Sequence, residues 1–109
     1  MMKKRLVLLI VLFSLAACGD KIILEHPEFI GFWEGADDKK VYSLRVEEDG
    51  SGTFAFVGDG KMRSFRGIIR INGNRMRVGT RTLEIITFPI MQDGFFITNL
   101  DGIAFRRVD

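Results

Sequence analysis

Cys18 is the single cysteine of the 109-residue chain, and it ends the stretch Leu15-Ala16-Ala17-Cys18. A thiol is a strong nucleophile once activated, but one cysteine forms no internal disulfide and calls for another use. His26 is the only histidine. Standing next to Pro27, with no cysteine partner, it is poorly placed for zinc and reads as a surface histidine. Asp37-Asp38 could touch a cation, but two adjacent carboxylates in a loop are ordinarily just solvated. No Ser-His-Asp set can be assembled, and the glycines sit in turns rather than in a phosphate-binding loop. The expectation is a protein that is not an enzyme, with no cofactor and no metal.

The elements around Cys18 give it a role. Met1-Met2-Lys3-Lys4-Arg5 is a basic start, Leu6 to Phe13 an apolar run, and Leu15 to Ala17 a small-residue end. These are the three parts of a secretion signal. The apolar part is about half the ~20 residues that a membrane-spanning helix needs. Leu15-Ala16-Ala17-Cys18 resembles the lipobox of bacterial lipoproteins. The resemblance implies diacylglyceryl transfer to the Cys18 sulfur, cleavage before Cys18 and acylation of the new amine. The alternative is an ordinary signal peptide with an incidental cysteine. Several acyl chains would make the anchor durable, where one would be reversible. Gly19 follows the cysteine and Asp20 comes one later. In lipoproteins that order favours the periplasmic face of the outer membrane over the inner membrane.

The expected organisation is therefore a signal peptide over 1–17, a lipidated N-terminus and tether over 18–28, and one domain over 29–109. Cleavage would leave 92 residues with 13 Lys plus Arg against 14 Asp plus Glu, turning a formal +2 into −1. Nucleic-acid binding is not suggested by that balance. A chain this short buries only about 60% of its unfolded surface, so packing must come from its phenylalanines, Trp33 and Tyr42. In the tether, Ile22-Ile23-Leu24 is an apolar patch that either covers one end of the domain or leans on the membrane.

From Phe29 onward the pattern is alternation broken by turns. The expected strands are 30–34, 41–47, 53–57, 62–71, 75–78, 81–87, 95–100 and 103–108. Asp59-Gly60, Asn72-Gly73, Asp93-Gly94 and Asp101-Gly102 are strong hairpin signals, because these residues accept positive φ. The turns predict registers: Phe54 opposite Phe65, Val46 opposite Phe54, Leu44 opposite Phe56, Ile69 opposite Met76 and Leu100 opposite Ile103. Each puts large apolar side chains on one face. The fold class is all-β, an antiparallel up-and-down meander of about eight strands closing into a small barrel behind a signal helix. Its inward set is Trp33, Tyr42, Leu44, Val46, Phe54, Phe56, Phe65, Ile69, Ile71, Met76, Leu83, Ile85, Phe96, Leu100 and Phe105. That much bulk predicts a mostly filled barrel. Phe88-Pro89-Ile90-Met91 reads as an apolar loop that plugs one end or stands out as a docking knob.

Gly31-Phe32-Trp33 resembles the Gly-x-Trp opening of the lipocalin and calycin families. The resemblance implies a lipocalin-like barrel whose last strand carries an Arg over that Trp. Arg107, in phase with Phe105, is the matching position, and Arg106 is the other candidate. The pair Trp33 and Arg107 would then close the barrel base. The domain is much shorter than a typical lipocalin and lacks its other loop motifs, so ligand carriage is not inherited with the likeness.

Charge is uneven along the chain. Lys61 to Arg81 holds seven basic residues and no acid, while residues 20–59 hold ten acids and four bases. Arg66, Arg70, Arg75 and Arg77 share the outward face of one hairpin, with Arg70 and Arg75 expected to be opposite. Like charges so placed repel, and Arg suits phosphate and carboxylate. The patch is either a plain solvated face, with Glu84 as its neighbouring partner, or a binding surface for lipid phosphates, lipopolysaccharide or an acidic envelope protein. Taken together, the sequence points to a monomeric, lipid-anchored, non-catalytic binding protein of the bacterial cell envelope. A periplasmic hydrolase inhibitor, using Ala36–Lys40 or Phe88–Met91, and a ligand-free structural component are the alternatives.

Overall fold

The structure, a computed structural model, describes residues 25–109. The expected signal helix, Cys18 and the apolar patch Ile22–Leu24 lie outside the described residues. After a short 3-10 turn at Pro27–Phe29 come eight strands: β1 Gly31–Ala36, β2 Lys40–Val46, β3 Ser51–Gly58, β4 Lys61–Asn72, β5 Arg75–Val78, β6 Arg81–Gln92, β7 Phe95–Leu100 and β8 Ile103–Arg107. Each pairs antiparallel with the next, and β8 returns to β1, so the sheet is a closed barrel. An all-β, up-and-down barrel of eight strands is compatible with a lipocalin-like fold.

The Asp-Gly turns drive this meander. Asp59, Asp93 and Asp101 all take φ between 53° and 56°, and Gly60, Gly94 and Gly102 follow them with φ of 72–85°. Two left-handed central residues make the tight turn whose twist matches that of the strands. Phe54 faces Phe65, and Leu100 faces Ile103.

Two hairpins, carrying three of the five predicted pairs, are displaced in register by two residues, and Val46 faces Gly52 rather than Phe54. Leu44 faces Phe54, and Tyr42 faces Phe56. The β2–β3 turn is centred one residue earlier than expected, because Glu47 N–H bonds to Ser51 O at 2.8 Å and Gly50 supplies the left-handed φ of 91°. Ile71, not Ile69, faces Met76. There the turn is Gly73-Asn74, with the glycine first at φ 61°. An even displacement leaves every side chain on its expected face.

Phe88–Met91 is not a loop. It belongs to β6, which runs on to Gln92 through two register shifts opposite β7. Pro89 is tolerated because β6 pairs with β5 only over Arg81–Glu84, so Pro89 has no neighbour on that side to donate to.

Alternating strands make turns at alternating ends. At the base, the 3-10 turn delivers Phe29 into the barrel, where it is fully buried against Trp33 with ring centroids 6.3 Å apart. Trp33 Nε1–H donates to Phe29 O at 2.8 Å, satisfying the one polar atom of that ring. Leu44, Ile69, Met76, Val78, Leu83 and Leu100 fill the middle and are essentially inaccessible. Of the predicted inward set, Phe96 is the exception at 36% exposure. It keeps the inward phase, but its segment of β7 lies past the end of the filled interior.

Candidate functional site: the aromatic mouth

At the other end, the inward positions change character. Alternation on β2, β3, β4 and β8 brings Tyr42, Phe54, Phe56, Phe65 and Phe105 together, with neighbouring ring centroids 5.9–6.4 Å apart. The same alternation places cations at the outermost inward positions. Lys40 Nζ stands 4.8 Å over Phe56, and the Arg63 guanidinium 5.7 Å over Phe65. Arg81, the first residue of β6, centres its guanidinium 5.8, 5.9 and 5.8 Å from the Phe54, Phe56 and Phe65 rings.

A cavity of about 430 Å³ opens here between Asp37, Tyr42, Phe54, Arg81, Asp101 and Phe105. That is within the range of small-molecule sites. Its floor is Leu83 and Leu100, so it is a cup rather than a channel through the barrel.

Acids and bases are unevenly matched in the cup. Asp37 Oδ1 accepts from the Lys39 and Lys40 N–H groups, and Oδ2 from the Tyr42 hydroxyl, each at 2.8 Å. The Lys39 N–H, the Tyr42 hydroxyl and the Lys40 N–H together hold the Asp37 carboxyl below the usual carboxylate range. Burial, then the bond to Asp37, pushes the Tyr42 phenol upward. Asp101 spends Oδ1 on the Glu84 N–H at 2.7 Å, and its Oδ2 is 4.0 Å from Arg81 Nη2. That leaves Arg81 weakly paired. Its Nε is buried and has no hydrogen-bond partner among the described residues. An unpaired donor in a site of low dielectric is costly unless something fills the position. The arrangement suits an anionic group on the guanidinium and a flat or short apolar body on the rings.

The sequence patterning did not single out Arg81, Lys40 and Arg63. The signal was present: Arg81 is in phase with Leu83 and Ile85, Lys40 with Tyr42, and Arg63 with Phe65. A charge at the inward phase, at a strand's end, marks a rim.

The residues expected to carry function lie elsewhere. Cys18 is outside the described residues. Arg66, Arg70, Arg75 and Arg77 are all exposed on the outer wall of β4 and β5. The register makes Arg70 and Arg77 the directly opposed pair, while Arg75 faces Asn72 on one side and Glu84 on the other. No ion pair within 4.0 Å links these four to an acid among the described residues; Arg77 Nε–H donates to Gly79 O at 3.2 Å. Trp33 and Arg107 are directly opposite across the β1–β8 seam. The Arg107 guanidinium lies 5.5 Å over Phe96, and its Nε is 3.1 Å from Asp109 Oδ1. Gly31 lets that side chain pass, since a Cβ there would meet Arg107 Nε at 2.9 Å. His26 Nδ1 is 3.2 Å from Glu28 Oε1, and its ring stacks on Phe88. Among the described residues, no cluster of His, Cys, Asp or Glu could hold a metal ion.

Comparison of the chain with family models, with curated proteins and with solved structures gave no match.

Proposed function

We propose that the protein is a lipid-anchored cell-envelope protein of binding type, held by acyl chains on Cys18, whose barrel mouth takes a small anionic amphiphile. Arg81 carries the binding half of this reading: a guanidinium stacked over three phenylalanine rings, with a buried Nε unpartnered, inside a cup of about 430 Å³. Rings supply apolar area, and the guanidinium fork selects carboxylate, sulfonate or phosphate. The filled middle of the barrel excludes a long chain. The anchor half rests on the lipobox-like Leu15-Ala16-Ala17-Cys18.

The binding half is tested by calorimetry with naphthoate and its neutral methyl ester. Naphthoate binding to the wild-type chain, and its loss in Arg81→Met, is the expected result. Equal affinity for acid and ester, or no effect of the substitution, sinks this reading. The anchor half is tested by mass and fractionation. Cys18→Ser should lose the acyl mass and leave the membrane fraction. A processed Cys18→Ser chain that stays with membranes overturns the anchor.

A further inference from the structure

The base carries a feature that neither the core nor the cup accounts for. From Ile86 to Gln92, β6 has run past its pairing with β5, and with β7 it forms an apolar extension. Apolar residues lie on both of its faces. Ile90 is 49% exposed and Phe95 47% on the outward face; Met91 is 59% exposed and Phe96 36% on the other. A sheet that packs on one partner is apolar on one side only. Apolar exposure on both sides suits a surrounding medium rather than a facing surface.

Each exposed ring carries a cation. The Arg106 guanidinium is 4.7 Å from the Phe95 ring centroid, and that of Arg107 is 5.5 Å from Phe96. An apolar body topped by a long side chain with a charged head is the arrangement that lies at a membrane–water boundary, with rings among acyl chains and guanidinium groups among phosphates. The chain enters the barrel at this same place. His26 and Phe29 both pack on Phe88 of the extension, with centroids 5.5 and 6.0 Å away. Cys18 is seven residues before Glu25, so an acylated Cys18 lies within about 25 Å of Glu25 even on a fully extended tether. The β4–β5 turn lies where the extension leaves the barrel, with Arg75 opposite Glu84 and Asn74 O accepting from the Ile85 N–H. Asp93, at the tip turn, is exposed and stays hydrated, which limits the extension to the headgroup layer.

We infer that the β6–β7 extension is a second, reversible membrane contact, seating Met91, Phe95 and Phe96 in the headgroup region beside the lipid anchor so that the aromatic mouth points away from the bilayer. The inference rests on the proposed acylation of Cys18. Its occupant is an anionic phospholipid surface rather than a second copy or the chain's own Ile22–Leu24.

The test uses the full lipid-modified chain in vesicles of phosphatidylethanolamine and phosphatidylglycerol, with acyl chains brominated near the carbonyl end. A tryptophan is placed by Phe95→Trp at the extension or by Val57→Trp near the mouth, and the parent emission of buried Trp33 is subtracted. The probe at position 95 should lose most of its intensity relative to non-brominated vesicles, and the probe at 57 none. Absence of the acyl mass on Cys18 overturns the anchor and this inference with it. An acylated chain whose probe at 95 is unquenched overturns the seating alone, and points to a second copy or to Ile22–Leu24 as the cover. Equal quenching at both positions overturns the orientation. Met91→Ser with Phe96→Ser should restore emission from the probe at 95 while the acylated chain stays with the vesicles.

Discussion

Arg107 stands directly across the β1–β8 seam from Trp33, and its guanidinium runs past the end of the filled interior to Phe96 and Asp109. Phe29 caps the Trp33 ring, with its own ring tilted against it and its backbone oxygen accepting the indole N–H. Burial and hydrogen bonding thus meet at Trp33, while Arg107 works at the rim.

The two residues should differ sharply in their effect on stability. Trp33→Ala removes a fully buried aromatic and is expected to cost about 3–5 kcal/mol. Arg107→Ala breaks a solvent-exposed ion pair and should cost under about 1 kcal/mol. Chemical denaturation followed by far-ultraviolet circular dichroism measures both, and equal losses would contradict the division.

Gly31 has a φ of 139°, and a Cβ there would press on Arg107 Nε. Gly31→Ala should therefore cost about 1–3 kcal/mol from backbone strain, plus whatever displacing Arg107 adds. In the double variant with Arg107→Ala the second part disappears, so the two losses should sum to more than the measured total.

Tyr42 is the only tyrosine of the chain, so phenolate absorbance titrates it alone. Burial and the Asp37 bond raise its folded value above the ordinary ~10. A raised acid favours folding while it stays neutral. The contribution is complete below the unfolded value and is lost as pH climbs through the folded one. Tyr42→Phe should flatten the alkaline fall in melting temperature. Asp37 has the opposite sign: its folded value is lowered, so its contribution is present above the unfolded value and fades as pH falls through the folded one.

Arg81→Met exchanges a cation with an unpartnered buried Nε for a side chain of similar length. Removing that donor should leave the ligand-free barrel as stable or more stable by about 1 kcal/mol, while naphthoate binding is lost. Thermal unfolding with and without naphthoate separates the two effects.

Arg77 faces Arg70 across β4 and β5. Arg77→Glu turns a repulsive cross-strand pair into an attractive one and should stabilise by roughly 0.2–1 kcal/mol at low salt. The gain should shrink as ionic strength rises.

Much of the barrel was legible because two independent signals agreed. Asp-Gly pairs marked turns, and alternation assigned faces, so Leu44, Phe54, Ile71 and Met76 point inward as expected even where the register differed by two. The displaced registers came from turns with more than one acceptable centre: Asn72-Gly73-Asn74 offers two, and Glu47 to Ser51 offers several. Pro89 misled because a proline ordinarily ends a strand. Only the three-dimensional arrangement shows that its side of β6 has no partner. Arg81 was hidden for a related reason. Its phase was readable, but a cation at an inward phase makes sense only once the strand is known to end at an open mouth. The Cys18 reading rests on the sequence alone, since Cys18 lies outside the described residues.

The four-residue β5 has one more consequence. It leaves β4 bare over its upper part and β6 bare over its lower part, and bare strands invite neighbours to add on. Each stretch carries its own guard: Lys61, Arg63 and Arg66 repel an incoming copy along β4, and Pro89 withholds the amide hydrogen that a growing fibril would need along β6. Both devices disfavour edge-to-edge strand pairing between copies at the two places where β5 leaves its neighbours uncovered.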